Sequence, residues 1–264
     1  MFSCSIGGLI LKCAIINQSD DALKRTALFC SLLISSISAF ALNNPDLKSY
    51  KYTFSKKEHF KVSFADYPKG QEEFFELEFK NGVKLPHEIN TPLQGLKISG
   101  NNHSDDLFMY AYTKVKGLKP NTTYHAGFTL EFASNAPEGS VGTGGSAGDS
   151  VYVKIGAVSN EPQRYVADDG YYMIDLDKGN QALDGKDMIL IGTIGVDTQN
   201  VTYRLKTLPY LPNEEMQAKL ANYTVTANDK GEAWLVLGTD SGFESTTTIF
   251  YTSLSVTFKE LMKE

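Results

Sequence analysis

One stretch of this sequence has the residue types and the spacing of a catalytic motif. Residues 144–148 read Gly-Gly-Ser-Ala-Gly and fit G-x-S-x-G, the turn that presents the nucleophilic serine of many hydrolases. Such a turn needs a strand running into the serine and a helix leaving it. Residues 135–145 are instead rich in glycine, and residues 149–157 alternate like a strand. We therefore predict no catalytic residue here and interpret residues 135–148 as a mobile lid or the rim of a site.

The four histidines have the chemistry for metal binding or catalysis, but their spacing favours neither. No two of them lie four residues apart, and no cysteine is near them, so they offer no ligand set for zinc. His103 is followed by Ser104, Asp105 and Asp106, yet neighbouring residues in an extended segment point to different sides. Members of a catalytic triad normally come from separated segments. We predict a solvated loop around His103.

Carboxylates are plentiful in the segments that resemble loops, and none of these segments fits the EF-hand pattern. Calcium held between loops stays open, because carboxylates and carbonyls from several loops can converge on one ion. The sequence leaves the identity of any metal ligand unknown. The alternative is that these Asp and Asn residues cap turns and strand ends. A hydrolase that pairs Glu131 with Asp105 or Asp106 also stays open, since acids from separate strands leave no spacing signature.

Aromatic side chains give the strongest indication of a ligand site. In residues 105–115, Phe108, Tyr110 and Tyr112 face one way and aliphatic side chains face the other. If the aliphatic face is core, the aromatic face is partly exposed, and flat rings beside polar groups suit a sugar. The predicted ligand-binding residues are Tyr110, Tyr112, His125, Glu131, Tyr152 and Lys154. The alternative is that a loop or a helix covers these rings.

The elements that must position these side chains have the pattern of β-strands. Apolar and polar residues alternate from Tyr50 onward, with turn residues between the runs. In residues 249–258 the alternation predicts Phe250 inward and Tyr251 outward. Residues 187–196 and 232–238 are continuously apolar and are predicted to be central strands covered on both faces.

Residues 213–223 are predicted to form a helix capped by Asn213. The predicted fold is all-β: a single antiparallel jelly-roll β-sandwich with at most one or two short helices, from about residue 43 to residue 259.

The N-terminal region has the features of an export signal. Lys24 and Arg25 precede an apolar run of about 15 residues that ends in Ala39-Phe40-Ala41, the small-x-small pattern of a cleavage site. A membrane anchor is the competing interpretation, but this run is shorter than the roughly 20 residues that span a bilayer. We predict a leader and signal peptide over residues 1–41 and one domain over residues 42–264, located in the periplasm or secreted.

The positions of the cysteines and the net charge limit the classes of protein to which this chain can belong. All three cysteines precede the predicted cleavage site, so the mature chain must be stabilised by a packed core rather than by disulfides. The full chain carries a formal net charge of −6, which repels nucleic acid and anionic membranes. We therefore expect no nucleic-acid partner and no membrane partner after processing. The oligomeric state stays open.

Several phrases together resemble a family of exported bacterial proteins to which no activity is assigned. They occupy residues 64–77, 101–110, 132–157, 177–181 and 232–251, and the resemblance covers most of residues 60–258. This resemblance implies no catalytic residue in the present sequence.

A looser resemblance is to galactose-binding-like and carbohydrate-binding jelly-roll modules. There a corner of the kind formed here by Leu118, Pro120, Thr122 and Tyr124 leads into a core strand. Those modules often hold a structural calcium and often have an aspartate in the last strand, where this sequence has Thr252 and Ser253.

From the aromatic face and the export signal, we predict an exported, non-catalytic module that binds a carbohydrate or a similar polar ligand. The alternatives are a secreted hydrolase with paired carboxylates and a structural or host-contact surface protein.

Overall fold

The structure is a computed structural model of the chain. It describes residues 3–6, 9–12, 46–55, 60–198, 200–210 and 213–262. The chain divides into two compact units, Met1–Asn44 and Pro45–Glu264. In the first unit, β1 (Ser3–Ile6) and β2 (Leu9–Lys12) pair as an antiparallel hairpin.

The predicted apolar run and its cleavage site lie outside the described residues. Within the described part of the chain, no helix combines the length and the apolar character needed to cross a membrane.

The second unit is built on two large antiparallel sheets, which confirms the predicted all-β sandwich. The five-stranded sheet has the order β13 (Met188–Thr193), β10 (Val151–Val158), β16 (Glu232–Ser241), β8 (Leu107–Lys116) and β4 (Lys61–Ala65). The seven-stranded sheet has the order β14 (Arg204–Leu208), β9 (Thr123–Ser134), β17 (Thr246–Glu260), β7 (Gln94–Asn101) and β6 (Glu78–Lys84), with β3 (Leu47–Thr53) on β17 and β15 (Thr224–Thr226) on β9. The successive strands β7, β8, β9 and β10 alternate between the two sheets, as in a jelly roll.

A third, small sheet consists of β11 (Arg164–Val166), β12 (Tyr171–Ile174) and β5 (Tyr67–Pro68). Two of its strands, β11 and β12, lie in residues 159–187, the segment that connects β10 to β13. We call residues 159–187 the covering segment.

The main core lies between the two large sheets and follows the predicted alternation. On β9 every second residue from Tyr124 to Phe132 is buried in this core. Each large apolar side chain buried in this way contributes roughly 1.5–3 kcal/mol to stability. The helix α1 (Glu214–Asn222) begins where it was predicted, and the Asn213 side chain accepts a hydrogen bond from the Met216 N–H at 2.9 Å.

Two strand predictions need correction. In β17 the register shifts between Tyr251 and Ser253, which reverses the alternation. Tyr251 therefore packs in the main core, whereas Phe250 packs in a separate cluster with Leu85 and Ala133. The second correction concerns β13, which was predicted to be a central strand but lies at the edge of its sheet.

The burial of Tyr251 leads to a stability prediction. Its side chain is fully buried, and its hydroxyl has no hydrogen-bond partner among the described residues. An unsatisfied buried hydroxyl costs about 1–3 kcal/mol, so Tyr251→Phe is expected to raise the free energy of unfolding by about 1 kcal/mol in urea denaturation.

The matched control is Tyr223→Phe. The Tyr223 hydroxyl accepts the Ala157 N–H at 2.7 Å and lies 2.7 Å from the Asp187 carbonyl oxygen. Loss of these bonds is expected to lower the free energy of unfolding by about 1–2 kcal/mol. A loss of stability in both variants would show that Tyr251 has a partner, such as a buried water.

Candidate functional site

Four aromatic rings form a continuous row on the outer face of the five-stranded sheet. Phe108, Tyr110 and Tyr112 follow one another on β8, and Trp234 lies beside Tyr112 on β16. The ring centroids are 5.1 Å apart for Phe108 and Tyr110, and 6.0 Å apart for each of the next two pairs. The strand period of two places every second side chain on this face, as the sequence predicted. We call these four residues the aromatic ladder.

The covering segment lies over much of this ladder. Ile174 and Leu176 of the covering segment pack in one apolar cluster with Phe108 and Tyr110. Phe108 is 0% exposed and Tyr110 is 1% exposed. The prediction that Tyr110 offers its ring at the surface is therefore wrong, and the alternative that a loop covers the rings describes the structure. The physical reason is that an aromatic face costs free energy in water until another apolar layer packs on it.

The Tyr112 end of the ladder is less covered. Tyr112 is half-buried, and the Lys61 ammonium lies 5.8 Å from the centroid of its ring. Two ammonium groups lie near the Trp234 ring, that of Lys61 at 5.7 Å and that of Lys114 at 5.0 Å from its centroid. Lys61 is paired with Glu161 of the covering segment. This end therefore combines an accessible ring with hydrogen-bonding side chains.

The remaining predicted site residues do not all share this face. Tyr152 and Lys154 lie on β10 and face the same side as the ladder, since Val151, Val153 and Ile155 fill the main core. His125 and Glu131 lie on β9 and alternate with core residues, so they face outward from the opposite sheet. The structure therefore does not bring the six predicted residues together. Alternation indicates which residues share a face of one strand, but not which sheet the strand joins.

The proposed pairing of Glu131 with Asp105 or Asp106 fails for the same reason. The Glu131 carboxylate accepts a hydrogen bond from the Thr252 hydroxyl at 2.6 Å, on the seven-stranded sheet. Asp106 lies beside Asp240 on the outer side of the five-stranded sheet. The Asp105 carbonyl lies on the same side, where it accepts a hydrogen bond from the Gln181 side chain of the covering segment at 2.8 Å. The sandwich separates Glu131 from both aspartates.

Five charged residues form a mostly buried cluster at the Phe108 end of the ladder. Lys178 of the covering segment lies 3.0 Å from the Asp66 carboxylate and 2.8 Å from the Asp240 carboxylate. Lys154 lies 3.3 Å from Asp240, and both of those side chains are 0% exposed. Asp106 completes the group, which we call the ion cluster.

The ion cluster changes the protonation of its members. Burial raises the pKa of Asp66 against the attraction of Lys178, and burial lowers the pKa of Lys154 against the attraction of Asp240. Burial also acts to lower the pKa of Lys178, but the nearby carboxylates outweigh it and the net shift is upward. Burial raises the pKa of Asp106 to about 7; Lys178 opposes this rise, whereas Asp240 and Asp66 add to it.

The same carboxylates are the candidates for a metal ion. Asp66, Asp106 and Asp240 offer oxygen atoms within 4.8 Å of one another, the one such group of acidic residues among those that the structure describes. The ammonium groups of Lys154 and Lys178 already supply the positive charge there. This set of residues does not fit calcium, which binds oxygen ligands without competing cations. Calcium elsewhere stays a prediction.

The G-x-S-x-G match is a hydrogen-bonded turn. The Ser146 hydroxyl accepts the N–H groups of Gly148 and Asp149 at 3.2 and 3.1 Å and donates to the Asp149 carboxylate at 3.0 Å. These are the bonds of a turn-capping serine. Gly144 has a φ of 71°, and a Cβ there would lie 2.1 Å from the Gly242 carbonyl oxygen, so this glycine permits a close approach of two backbone segments.

The loop around His103 is held by its neighbours rather than arranged as a triad. The Ser104 hydroxyl donates to the Asp66 carbonyl at 2.8 Å, and the His103 ring stacks on Phe74 with centroids 4.1 Å apart. The buried Asn102, which sequence reasoning missed, donates to the Ser241 carbonyl at 2.7 Å.

Sequence reasoning also missed most of the ion cluster and one end of the ladder. Asp240 gave no clear signal, because it follows the apolar run of β16 and stands between Thr239 and Ser241. Lys154 gave a usable signal, because it is the one charged residue in the otherwise mostly apolar β10. Asp66 and Lys178 lie in turn-like segments, where charged residues are ordinary.

A separate groove of about 620 Å³ lies at the sandwich edge, between β13 and β14. Its lining includes Lys206, Asn213 and the ring of Tyr210, which is 74% exposed. It contains neither the ladder nor the ion cluster.

No protein-family model and no curated protein matches this chain. Among solved structures, it is similar to the carbohydrate-binding module TmCBM27, studied for specific mannan recognition, with a TM-score of 0.35 and 9% identity over 81% of this chain and 98% of that one. The xylan-binding domain CBM22-1 of Xyn10C from Paenibacillus barcinonensis gives a TM-score of 0.34 and 8% identity, covering 81% of this chain and 95% of that chain. TmCBM61 in complex with β-1,4-galactotriose gives a TM-score of 0.32 and 10% identity, covering 81% of this chain and 95% of that chain.

These solved structures are of the class that the sequence loosely resembles. At such low TM-scores the similarity assigns no ligand to this chain.

Proposed function

We propose that this chain is an exported, non-catalytic module that binds a carbohydrate at the Tyr112 end of the aromatic ladder. The observation that carries the proposal is the accessible Tyr112 ring, which lies 6.0 Å from the Trp234 ring at the less covered end of the ladder. An accessible aromatic ring stacks on the apolar C–H face of a sugar ring.

The polar groups at this end fit the same ligand. Lys61, Lys114 and Glu161 stand around Tyr112 and Trp234 and are partly exposed. Ammonium and carboxylate groups donate to and accept from sugar hydroxyls, and they fix the ligand's orientation while the rings supply contact area. Export rests on the N-terminal basic pair, apolar run and small-x-small site.

A glycan array followed by calorimetry tests this proposal, with mannan, xylan and β-1,4-galactan oligosaccharides included. Tyr112→Ala is expected to weaken binding of the best ligand at least tenfold, about 1.4 kcal/mol, because it removes the accessible stacking surface. Circular dichroism checks that the half-buried site still folds.

Tyr210→Ala is the control, since this ring is exposed in the separate groove. It is expected to leave the affinity unchanged. Loss of binding in Tyr210→Ala instead of Tyr112→Ala would move the site to the groove. Binding of no glycan at all would favour a structural or host-contact role.

A further inference from the structure

The ion cluster joins the covering segment to the sheet beneath it. Its five members come from five separate parts of the chain: Asp66 after β4, Asp106 before β8, Lys154 on β10, Asp240 on β16 and Lys178 in the covering segment. Such a cluster holds its segments together only while its charges balance, because an unpaired buried charge is costly.

One loop depends on this cluster for much of its polar attachment. Residues 175–187, which we call the latch loop, close the covering segment over the Phe108 end of the ladder, where the Lys178 ammonium lies 5.2 Å from the Phe108 ring. The Lys154 ammonium donates to the carbonyls of Lys178 and Leu183 at 2.7 and 2.6 Å. The Gln181 N–H donates to the Asp240 carboxylate at 2.9 Å. The loop tip between these contacts is largely exposed.

The charges of the ion cluster balance only with one added proton. Two lysines face three carboxyl groups, and the lysines form ion pairs with Asp66 and Asp240 but not with Asp106. Among the described residues, Oδ1 of Asp240, Oδ1 of Asp106 and both carboxylate oxygens of Asp66 lack a hydrogen-bond partner. Asp66 lies 3.0 Å from the Lys178 ammonium, so Asp106 is the carboxyl group of the three without an ion pair. A proton on Asp106 would bridge it to Asp240 and bring the cluster to neutrality.

We propose that the latch loop is a proton-dependent lid: a proton shared by Asp106 and Asp240 keeps it closed, and loss of that proton opens it and uncovers Phe108. The biological role of this lid rests on the proposed function, because opening would extend the ligand-binding surface from Tyr112 toward the buried end of the ladder. The lid itself is a property of the free protein and is measured without a ligand.

The direction of the pH dependence follows from Asp106. Its pKa of about 7 in the closed state lies above the ordinary value of about 3.9 for a solvated aspartate, which an open loop restores. The closed state thus holds a proton that the open state releases, so closure is favoured below neutral pH and weakens as the pH rises through 7. Charged groups from four other parts of the chain face Asp106 or its partners: Lys178 and Asp184 of the latch loop, Asp66 after β4, Lys154 on β10 and Asp240 on β16. The loop that holds Asp106 also carries His103 and Asp105.

Hydrogen–deuterium exchange of the full folded chain tests the lid. Protection of residues 175–187, corrected for the intrinsic pH dependence of exchange, is expected to fall about tenfold between pH 6 and pH 8. Amides of β9 report global stability and are expected to keep their protection. Asp106→Asn cannot release a proton, so its latch loop is expected to exchange equally at both pH values.

Two controls keep the assignment specific. Asp168→Asn, on an exposed turn of the covering segment, and His103→Asn, beside Asp106 in sequence, are both expected to keep the wild-type pH dependence. Protection that is independent of pH in the wild type would overturn the proposal without any variant, and so would pH dependence that persists in Asp106→Asn. If exchange behaves as expected but no glycan binds, the lid stands and the proposed function fails.

Discussion

Lys178→Met is expected to lower the free energy of unfolding by about 3–5 kcal/mol. The Lys178 ammonium pairs with Asp66 and Asp240, and both carboxylates are almost fully buried. Methionine fills a similar volume but carries no charge, so the substitution leaves two buried carboxylates with less compensation. Removal of one partner from a buried ion pair costs more than the pair itself contributes, because the other charge stays away from water.

Urea denaturation followed by tryptophan fluorescence measures this effect, since Trp234 is the one tryptophan of the sequence. Lys186→Met is the matched control, because Lys186 is an exposed lysine of the same latch loop. It is expected to change stability by less than about 0.5 kcal/mol. A loss below 1 kcal/mol in Lys178→Met would mean that water reaches the ion cluster and that the covering segment is not held as described.

Phe108→Ala is expected to cost about 3–5 kcal/mol of stability. The Phe108 ring is fully buried between the five-stranded sheet and the covering segment, and truncation leaves a cavity that these two layers can fill only in part. The experiment also decides between two descriptions of this face. A partly exposed aromatic platform, as the sequence predicted, would lose little stability on truncation.

Phe74→Ala supplies the comparison. Phe74 is 59% exposed and stacks on His103 outside the buried clusters. We expect a cost below about 1 kcal/mol, measured by the same denaturation curves. Similar small losses in both variants would contradict a closed covering segment.

Two predictions that depended only on neighbouring residues, the alternation in β9 and the cap of α1, were confirmed. Alternation placed the Tyr124 to Phe132 face of β9 in the core, because successive side chains of a strand point to opposite sides whatever packs on them. Asn213 capped its helix because a cap uses residues only a few positions away. Alternation and capping depend on residues that are only a few positions apart, and alternation was enough to predict an all-β sandwich.

Contacts between distant segments decided the rest. A single bulge in β17 exchanged the roles of Phe250 and Tyr251, and hydropathy alone does not reveal an extra residue in a strand.

By itself, the sequence determined that the strands form, which side chains share a face where a strand has no bulge, and that one aromatic face exists. Only the tertiary structure decided that the covering segment closes over Phe108 and Tyr110, and that Lys178 meets Asp66 and Asp240 there. Periodicity reports the face on which a side chain lies, whereas burial and ion pairing depend on which remote segment packs against that face.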